Sequence, residues 1–374
     1  MQNHTTWHLT NLAEALESNV YFRMTVANAF QVDHRTIVED VRAAKPPVRA
    51  TVASAGYDIF SPYDFSVAPG EEKPIFFGWA VHPEVLDEYL DNERNPITEE
   101  KPWGGFLKII HSKRFKPRGD FFTDVAQLML FEQLLMIPTS SSAKKKGLLF
   151  TGHHINSGFL MATVTNFTEQ PVHIKAGDKL GQFLITDMSS EVQILPEVCK
   201  DETFELPQAS LIGSPFIFCA KDTVECAPGK IAVVPTGIKV KLDPEKNQAI
   251  LLHSAFNPLG HCFIQSNFIG LVDADYYGNS DNDGDIGFPL LNITCQPQTI
   301  VKGTPLGYAT GITFIKVQED NFNDATRTGG FGSTDADGSV LNPSIYTAKE
   351  EFMMNVSGMD TCASCMIGEE PHCN

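Results

Sequence analysis

Two acids in a glycine-bounded run, Gly270-Leu271-Val272-Asp273-Ala274-Asp275-Tyr276, are the groups in this chain best suited to chemistry. A carboxylate held there can accept a proton from an attacking water. It can equally cap backbone amides, a common task for aspartate in glycine-rich β-proteins. A second set lies far upstream. Pro138-Thr139-Ser140-Ser141-Ser142 and Gly177-Asp178-Lys179-Leu180-Gly181-Gln182 present hydroxyls and a carboxamide, directed donors of the kind that suit phosphate oxygens. Near the end, Gly329-Gly330-Phe331-Gly332-Ser333-Thr334 combines glycines, which permit close backbone approach, with an aromatic ring. The acid and most of the donors sit in different halves, so an active unit needs both.

The halves share scaffold signals. Ala68-Pro69-Gly70, Asn166 and Gly177 recur as Ala227-Pro228-Gly229, Asn292 and Gly303. Gly70 and Gly229 are 159 residues apart, whereas the Asn166/Asn292 and Gly177/Gly303 pairs are each 126 apart, so the first copy carries 33 extra residues. That excess falls around residues 85–131, with Trp103-Gly104-Gly105-Phe106 and a helical-looking run from Asp124 to Leu135. From Thr51 onward, short β-rich runs alternate with Gly, Pro, Asp and Asn, which predicts an all-β barrel or sandwich. The resulting division is an N-terminal extension over 1–50, a first barrel over 51–190, a linker over 191–211, a second barrel over 212–318 and a tail over 319–374. Leu9, Leu12, Ala13, Ala15 and Leu16 predict a short helix from about Thr10.

At 374 residues and 42% hydrophobic content, the chain can build two ordinary domains. A net charge of -18 argues against nonspecific binding to nucleic acid. Lys144-Lys145-Lys146 is a compact basic run, suited to solvent or to a phosphate group. No apolar run is long enough for a membrane helix and no leader pattern opens the chain, so a soluble cytoplasmic protein is expected, with neither membrane nor nucleic acid as partner. The eight cysteines do not form a disulfide scaffold.

With these motifs in order, the chain resembles the deoxyuridine triphosphate nucleotidohydrolases, or dUTPases, over about Thr51 to Gln318 plus the tail motif. The resemblance implies two tandem dUTPase-like β-barrel or jelly-roll domains, as in viral or bacteriophage proteins that arose by duplication. The first copy keeps motif one at Ala55-Gly56-Tyr57-Asp58, much of motif two, and motif four. It has Asn156 where the second copy has Asp273. The second copy keeps motif three, but His253 replaces the motif-two arginine, and Thr304 and Tyr308 replace the Asp and Gln of motif four. Two incomplete sets sum to one nearly complete set, with the labour divided the other way round from the herpesvirus type.

The resemblance implies a role for each matching residue. Asp273 would activate the water that attacks the α-phosphorus, with Asp275 serving the turn. Tyr276 would pack under deoxyribose and exclude a 2′-hydroxyl, unless it is an ordinary core tyrosine. Asn267, six residues before Asp273, would read the uracil edge, unless it is a plain turn residue. Ser140, Ser141 and Gln182 would bind phosphate. Thr139 stands where the family has arginine, a deficit that Lys144, Lys145 or Lys179 could offset only without the guanidinium fork. Asp58 and Asp178 are supporting acids at sharp turns, with a structural role at least as suitable as metal contact. Mg²⁺ would ride largely on the triphosphate and water, with no protein ligands assigned. Phe331 would cover uracil, while Gly332, Ser333 and Thr334 wrap the phosphates. Arg327 would reach the γ-phosphate from one residue closer to Phe331 than usual.

The reaction implied is hydrolysis of dUTP to dUMP and pyrophosphate. The alternatives are a pyrophosphohydrolase for another or modified deoxypyrimidine triphosphate, or a catalytically weak regulatory binder that meets a host protein through 85–131. Self-association could supply the third barrel edge that ordinary family members use. Cys362, Cys365, His372 and Cys373 suit a thiol-bearing tail better than a zinc knot, and 281–285 suits a solvated hairpin better than a calcium loop.

Overall fold

The computed structural model describes residues 6–18, 34–83, 132–139, 142, 147–152, 159–187, 192–200, 216–254, 262–323 and 327–330. The described parts are almost entirely strands, giving the all-β class that the alternating pattern predicts.

Each copy has its own apolar core. Tyr57, Ile59, Ile75, Phe77, Phe150 and Phe183 fill the first, while Phe218, Val234, Ile250, Phe288 and Leu290 fill the second. The repeat markers close the same turn in both. Gly70 and Gly229 donate their N–H groups to the carbonyl oxygens of Asn166 and Asn292, each at 2.8 Å. The Asn166 carboxamide donates to Val67 O at 2.9 Å and Gln170 O at 2.8 Å; that of Asn292 donates to Cys226 O and Gln296 O at the same two distances. Gly177 and Gly303 adopt φ of 86° and 85°, a left-handed conformation that glycine takes at little cost. The markers are conformational requirements, which explains why both copies keep them while the chemical residues diverge.

One eight-stranded sheet joins the copies. The strand Lys179–Asp187 of the first pairs with Pro305–Ile315 of the second through Ile185 and Ile315, Thr186 and Phe314, and Asp187 and Thr313. Beside this seam Ala55, Ile137 and Leu184 pack with Ala249, Leu251, Ile312 and Phe314. Val317, just past the last strand of the second copy, is buried in the first core.

Two elements differ from the sequence expectation. Glu132–Pro138, which takes in the last four residues of the helical-looking run, is a strand paired with Lys179–Asp187 from Asp187 opposite Glu132 to Gly181 opposite Pro138. A partner strand supplied from distant sequence overrides the local periodicity. Residues 124–131 lie outside the described set, as does the rest of the 85–131 excursion. The predicted N-terminal helix is present as Leu12–Ser18, capped by Asn11 Oδ1, which accepts from Ala13 N–H at 2.9 Å. It follows an unexpected strand, Trp7–Asn11, which adds to the first copy by pairing with Glu72–Pro83.

Candidate active site at the junction of the two copies

Asp273 ends the strand Ile269–Asp273, and the chain then turns through the short 3-10 helix Ala274–Tyr276. Opposite it stands the loop that leads into motif one of the first copy. The Ala55 N–H donates to Asp273 Oδ1 at 2.8 Å, and the Thr51 hydroxyl donates to Asp275 Oδ2 at 2.6 Å. Arg327, from the tail, bridges the two acids. One terminal nitrogen donates to Asp273 Oδ2, and its Nε donates to Asp275 Oδ1 at 2.6 Å. The same terminal nitrogen reaches Ser54 Oγ at 3.2 Å. Three separate stretches of chain therefore meet on one carboxylate.

Burial pushes the Asp273 carboxyl up from its ordinary value, against the opposing pull of the Arg327 guanidinium and the Ala55 N–H. Burial alone would lower Arg327, but Asp273 and Asp275 together hold it above its ordinary value.

The loop that carries Ala55 is held by a residue the sequence reading did not single out. Arg49 is 1% exposed. Its Nε and one terminal nitrogen donate to the two oxygens of Asp320, at 2.7 and 2.5 Å. The other terminal nitrogen donates to the carbonyl oxygens of Val52 at 2.7 Å and Ser54 at 3.0 Å. A planar fork with five donors can do this; a lysine cannot. Burial works against charge on Asp320, yet its hydrogen bonds from Arg49 and Tyr57 keep its carboxyl below the usual range. No local signal marks Arg49, because its partner lies 271 residues away.

In the first copy, Gln182 pairs with Asp58 across the sheet, and its side chain lies against Gly56. A Cβ on Gly56 would come within 2.5 Å of Gln182 Oε1, so glycine is required for this approach. Gly56 adjoins Ala55, which places Gln182 beside the loop that holds Asp273. Lys179 Nζ sits 3.4 Å from Asp58 Oδ2. Asp178 Oδ2 accepts from Lys175 N–H at 3.2 Å, a turn contact. Thr139, at the family's arginine position, is buried and bonded to Ser142 Oγ at 2.6 Å, and Ser142 in turn donates to Leu180 O. Ser140 and Ser141, as well as Lys144 and Lys145, lie outside the described residues.

In the second copy, the turn between the strands Phe263–Gln265 and Ile269–Asp273 holds Asn267, which is 5% exposed. Phe268 at its tip has φ of 52°, a strained conformation for a bulky residue that costs roughly 1–3 kcal/mol and concentrates at functional sites. Tyr276 donates its hydroxyl to Asp285 O at 2.8 Å and accepts from Asn282 Nδ2 at 2.8 Å. The tail reaches this ring. Asp281 N–H donates to Thr328 O at 2.8 Å, and a Cβ on Gly330 would meet the Tyr276 hydroxyl at 3.2 Å. Phe331, Gly332, Ser333 and Thr334 lie outside the described residues. The 281–285 run thus docks the tail and also the connecting segment: Asp283 Oδ2 accepts from Lys200 N–H of that segment and from Lys239 Nζ of the second copy, each at 2.7 Å.

The corresponding place in the second copy is filled by packing. His253 stacks on Tyr308 with ring centroids 4.9 Å apart, and burial lowers its imidazole pKa. Asn156 of the first copy lies outside the described residues.

No family model matches the chain. Among curated proteins, it is 34% identical over 119 residues to the deoxyuridine 5'-triphosphate nucleotidohydrolase of Lactococcus lactis, a match spanning 78% of that protein and 31% of this chain. It is 35% identical over 153 residues to the enzyme of the same name from Escherichia coli K12, spanning 94% of that protein and 38% of this chain. Solved structures similar to it include the dUTPase of Streptococcus mutans, at 24% identity and TM-score 0.31, covering 33% of this chain and 98% of that one. Another is a phage phi11 dUTPase, described as coordinating a structural Mg(II) ion, at 13% identity and TM-score 0.27, covering 35% and 96%. Relatives matched over most of their own length occupy little more than a third of this chain, which leaves room for the second copy. The chain belongs to the deoxyuridine 5'-triphosphate nucleotidohydrolase family.

Proposed function

We propose that the chain hydrolyses dUTP to dUMP and pyrophosphate at one composite site that uses both copies and the tail. The observation that carries this reading is the 2.8 Å hydrogen bond from Ala55 N–H of the first copy to Asp273 of the second, with Arg327 of the tail on the same carboxylate.

In the proposed reaction Asp273 accepts a proton from a water whose oxygen attacks the α-phosphorus. The bond from that phosphorus to the bridging oxygen breaks, and pyrophosphate leaves with the electron pair. Gln182, with Ser140 and Ser141, donates to phosphate oxygens. Tyr276 closes the space beneath deoxyribose and Asn267 meets the base, while Phe331 covers it and Gly332, Ser333 and Thr334 wrap the phosphates. Arg327 exchanges its two carboxylates for the γ-phosphate as substrate enters, which frees Asp273 to take the water proton. Asp275, expected to serve its turn, instead ties Thr51 of the first copy to Arg327 of the tail, while Asp178 acts on its turn and Asp58 on Lys179.

Mg²⁺ enters this reading with the substrate. It prefers oxygen ligands and retained water, and it would offset phosphate charge in an acidic protein. Among the described residues no three acidic, histidine or cysteine side chains gather into a metal site, so the ion is assigned to the triphosphate and no step is routed through a protein-held metal. No described helix is long and apolar enough to cross a membrane, and we place the activity in the cytoplasm, that of the host if the source is viral.

Pyrophosphate release measured against dUTP, dCTP, UTP and dTTP tests the proposal. Turnover of dUTP in preference to the others, lost in Asp273→Asn, supports it; equal activity of the wild type and that variant contradicts it.

A further inference from the structure

Asn267 is oriented by a neighbour that no motif includes. Gln265 is 2% exposed at the end of the strand Phe263–Gln265. Its Nε2 donates to the Leu252 carbonyl oxygen at 3.3 Å and to Asn267 Oδ1 at 2.8 Å. A backbone carbonyl can only accept, so the first contact determines which end of the Gln265 amide is nitrogen. The second contact then determines Asn267. Its oxygen faces Gln265, and its amino group is left for whatever lies on the other side. Gln265 Oε1 and Ser266 Oγ are buried and have no hydrogen-bond partner among the described residues.

We propose that Gln265 is a positioning residue for base choice, holding Asn267 so that its amino group is offered to the pyrimidine. A donor there matches the acceptor of a 4-oxo pyrimidine and opposes the amino group of a 4-amino one. Discrimination by a site built to hydrogen-bond one form is large, because the wrong base leaves buried polar groups unpaired. The inference rests on the reading of Asn267 as the base-facing residue given above, and goes beyond it by assigning the direction of the amide to Gln265. Packing alone does not explain the arrangement, since an apolar residue of similar size would fill the same space without fixing Asn267.

The test compares kcat/KM for dUTP and dCTP in the full-length wild type, Gln265→Met and Gln265→Glu. Methionine keeps length and removes the donor; glutamate gives Asn267 an acceptor toward which its amino group can turn. The expected result is a dUTP:dCTP ratio about tenfold lower in Gln265→Met and lower still in Gln265→Glu, with the dUTP loss appearing in KM. An unchanged ratio in both variants, or equal proportional loss on both nucleotides, overturns the assignment while leaving dUTP hydrolysis standing. A wild type that releases pyrophosphate from neither nucleotide overturns the parent reading and this inference together. If Gln265→Met does not fold, the ratio in Gln265→Glu decides.

Discussion

The Ala55 amide and the Asp273 carboxylate, 218 residues apart in the chain, meet at 2.8 Å. A hydrogen bond to a charged group contributes roughly 1.5–3 kcal/mol, and this one also fixes the direction in which the acid presents its second oxygen. An acid from the second copy is thus anchored by backbone from the first.

The first prediction concerns the acid itself. Asp273→Asn keeps an acceptor for Ala55 N–H and removes the base, so the fold is retained while kcat for pyrophosphate release falls by about 10²–10⁴. A thermal melt beside the kinetic assay separates the two effects.

The second concerns Gly56. Its added methyl in Gly56→Ala would collide with the far end of the flexible Gln182 side chain, 2.5 Å away, and not with rigid backbone. Stability should change by under about 1 kcal/mol, whereas displacement of the Gln182 amide should raise KM for dUTP about tenfold. Denaturant titration and steady-state kinetics check both numbers.

The third follows from the buried clamp. Arg49→Met leaves Asp320 without its guanidinium partner and releases the carbonyls of Val52 and Ser54, at an expected cost of about 3–5 kcal/mol. Adding Asp320→Leu should recover part of that loss, because no unpaired charge then remains. A double-mutant cycle by chemical denaturation measures the recovery.

The fourth is a pH dependence. Burial raises Asp273, so kcat/KM should climb with pH through a value above the ordinary aspartate range, as the carboxyl loses its proton and becomes a base. Arg327 opposes that rise, so Arg327→Met should move the acid limb to still higher pH. The sign for stability is opposite to that for activity. A carboxyl whose folded value is raised favours the fold most at pH below its unfolded value, and that contribution is lost as pH rises through the folded value.

How much of this was legible depended on whether the cause was local. The Asn166 and Asn292 turns could be paired from sequence because each is a self-contained backbone requirement repeated with fixed neighbours. Asp273 and Tyr276 stood out for the same reason, within one short run. Arg49 and Asp320 did not, since neither has meaning without a partner brought from the other end of the chain. Gln265 looks like any strand residue until Leu252 and Asn267 are placed around it. Glu132–Pro138 misled because its hydrogen-bonding partner, Lys179–Asp187, is distant, and local apolar spacing cannot report a sheet edge waiting to be filled.

The central claim, that one chain makes one site from two copies, is tested most directly by isothermal titration of the full-length protein with a non-hydrolysable dUTP analogue, its assembly state fixed by sedimentation. The account predicts one analogue bound per chain, with binding weakened when Gln182 of the first copy or Tyr276 of the second is altered. Two bound per chain, or binding that depends on one copy alone, would contradict it.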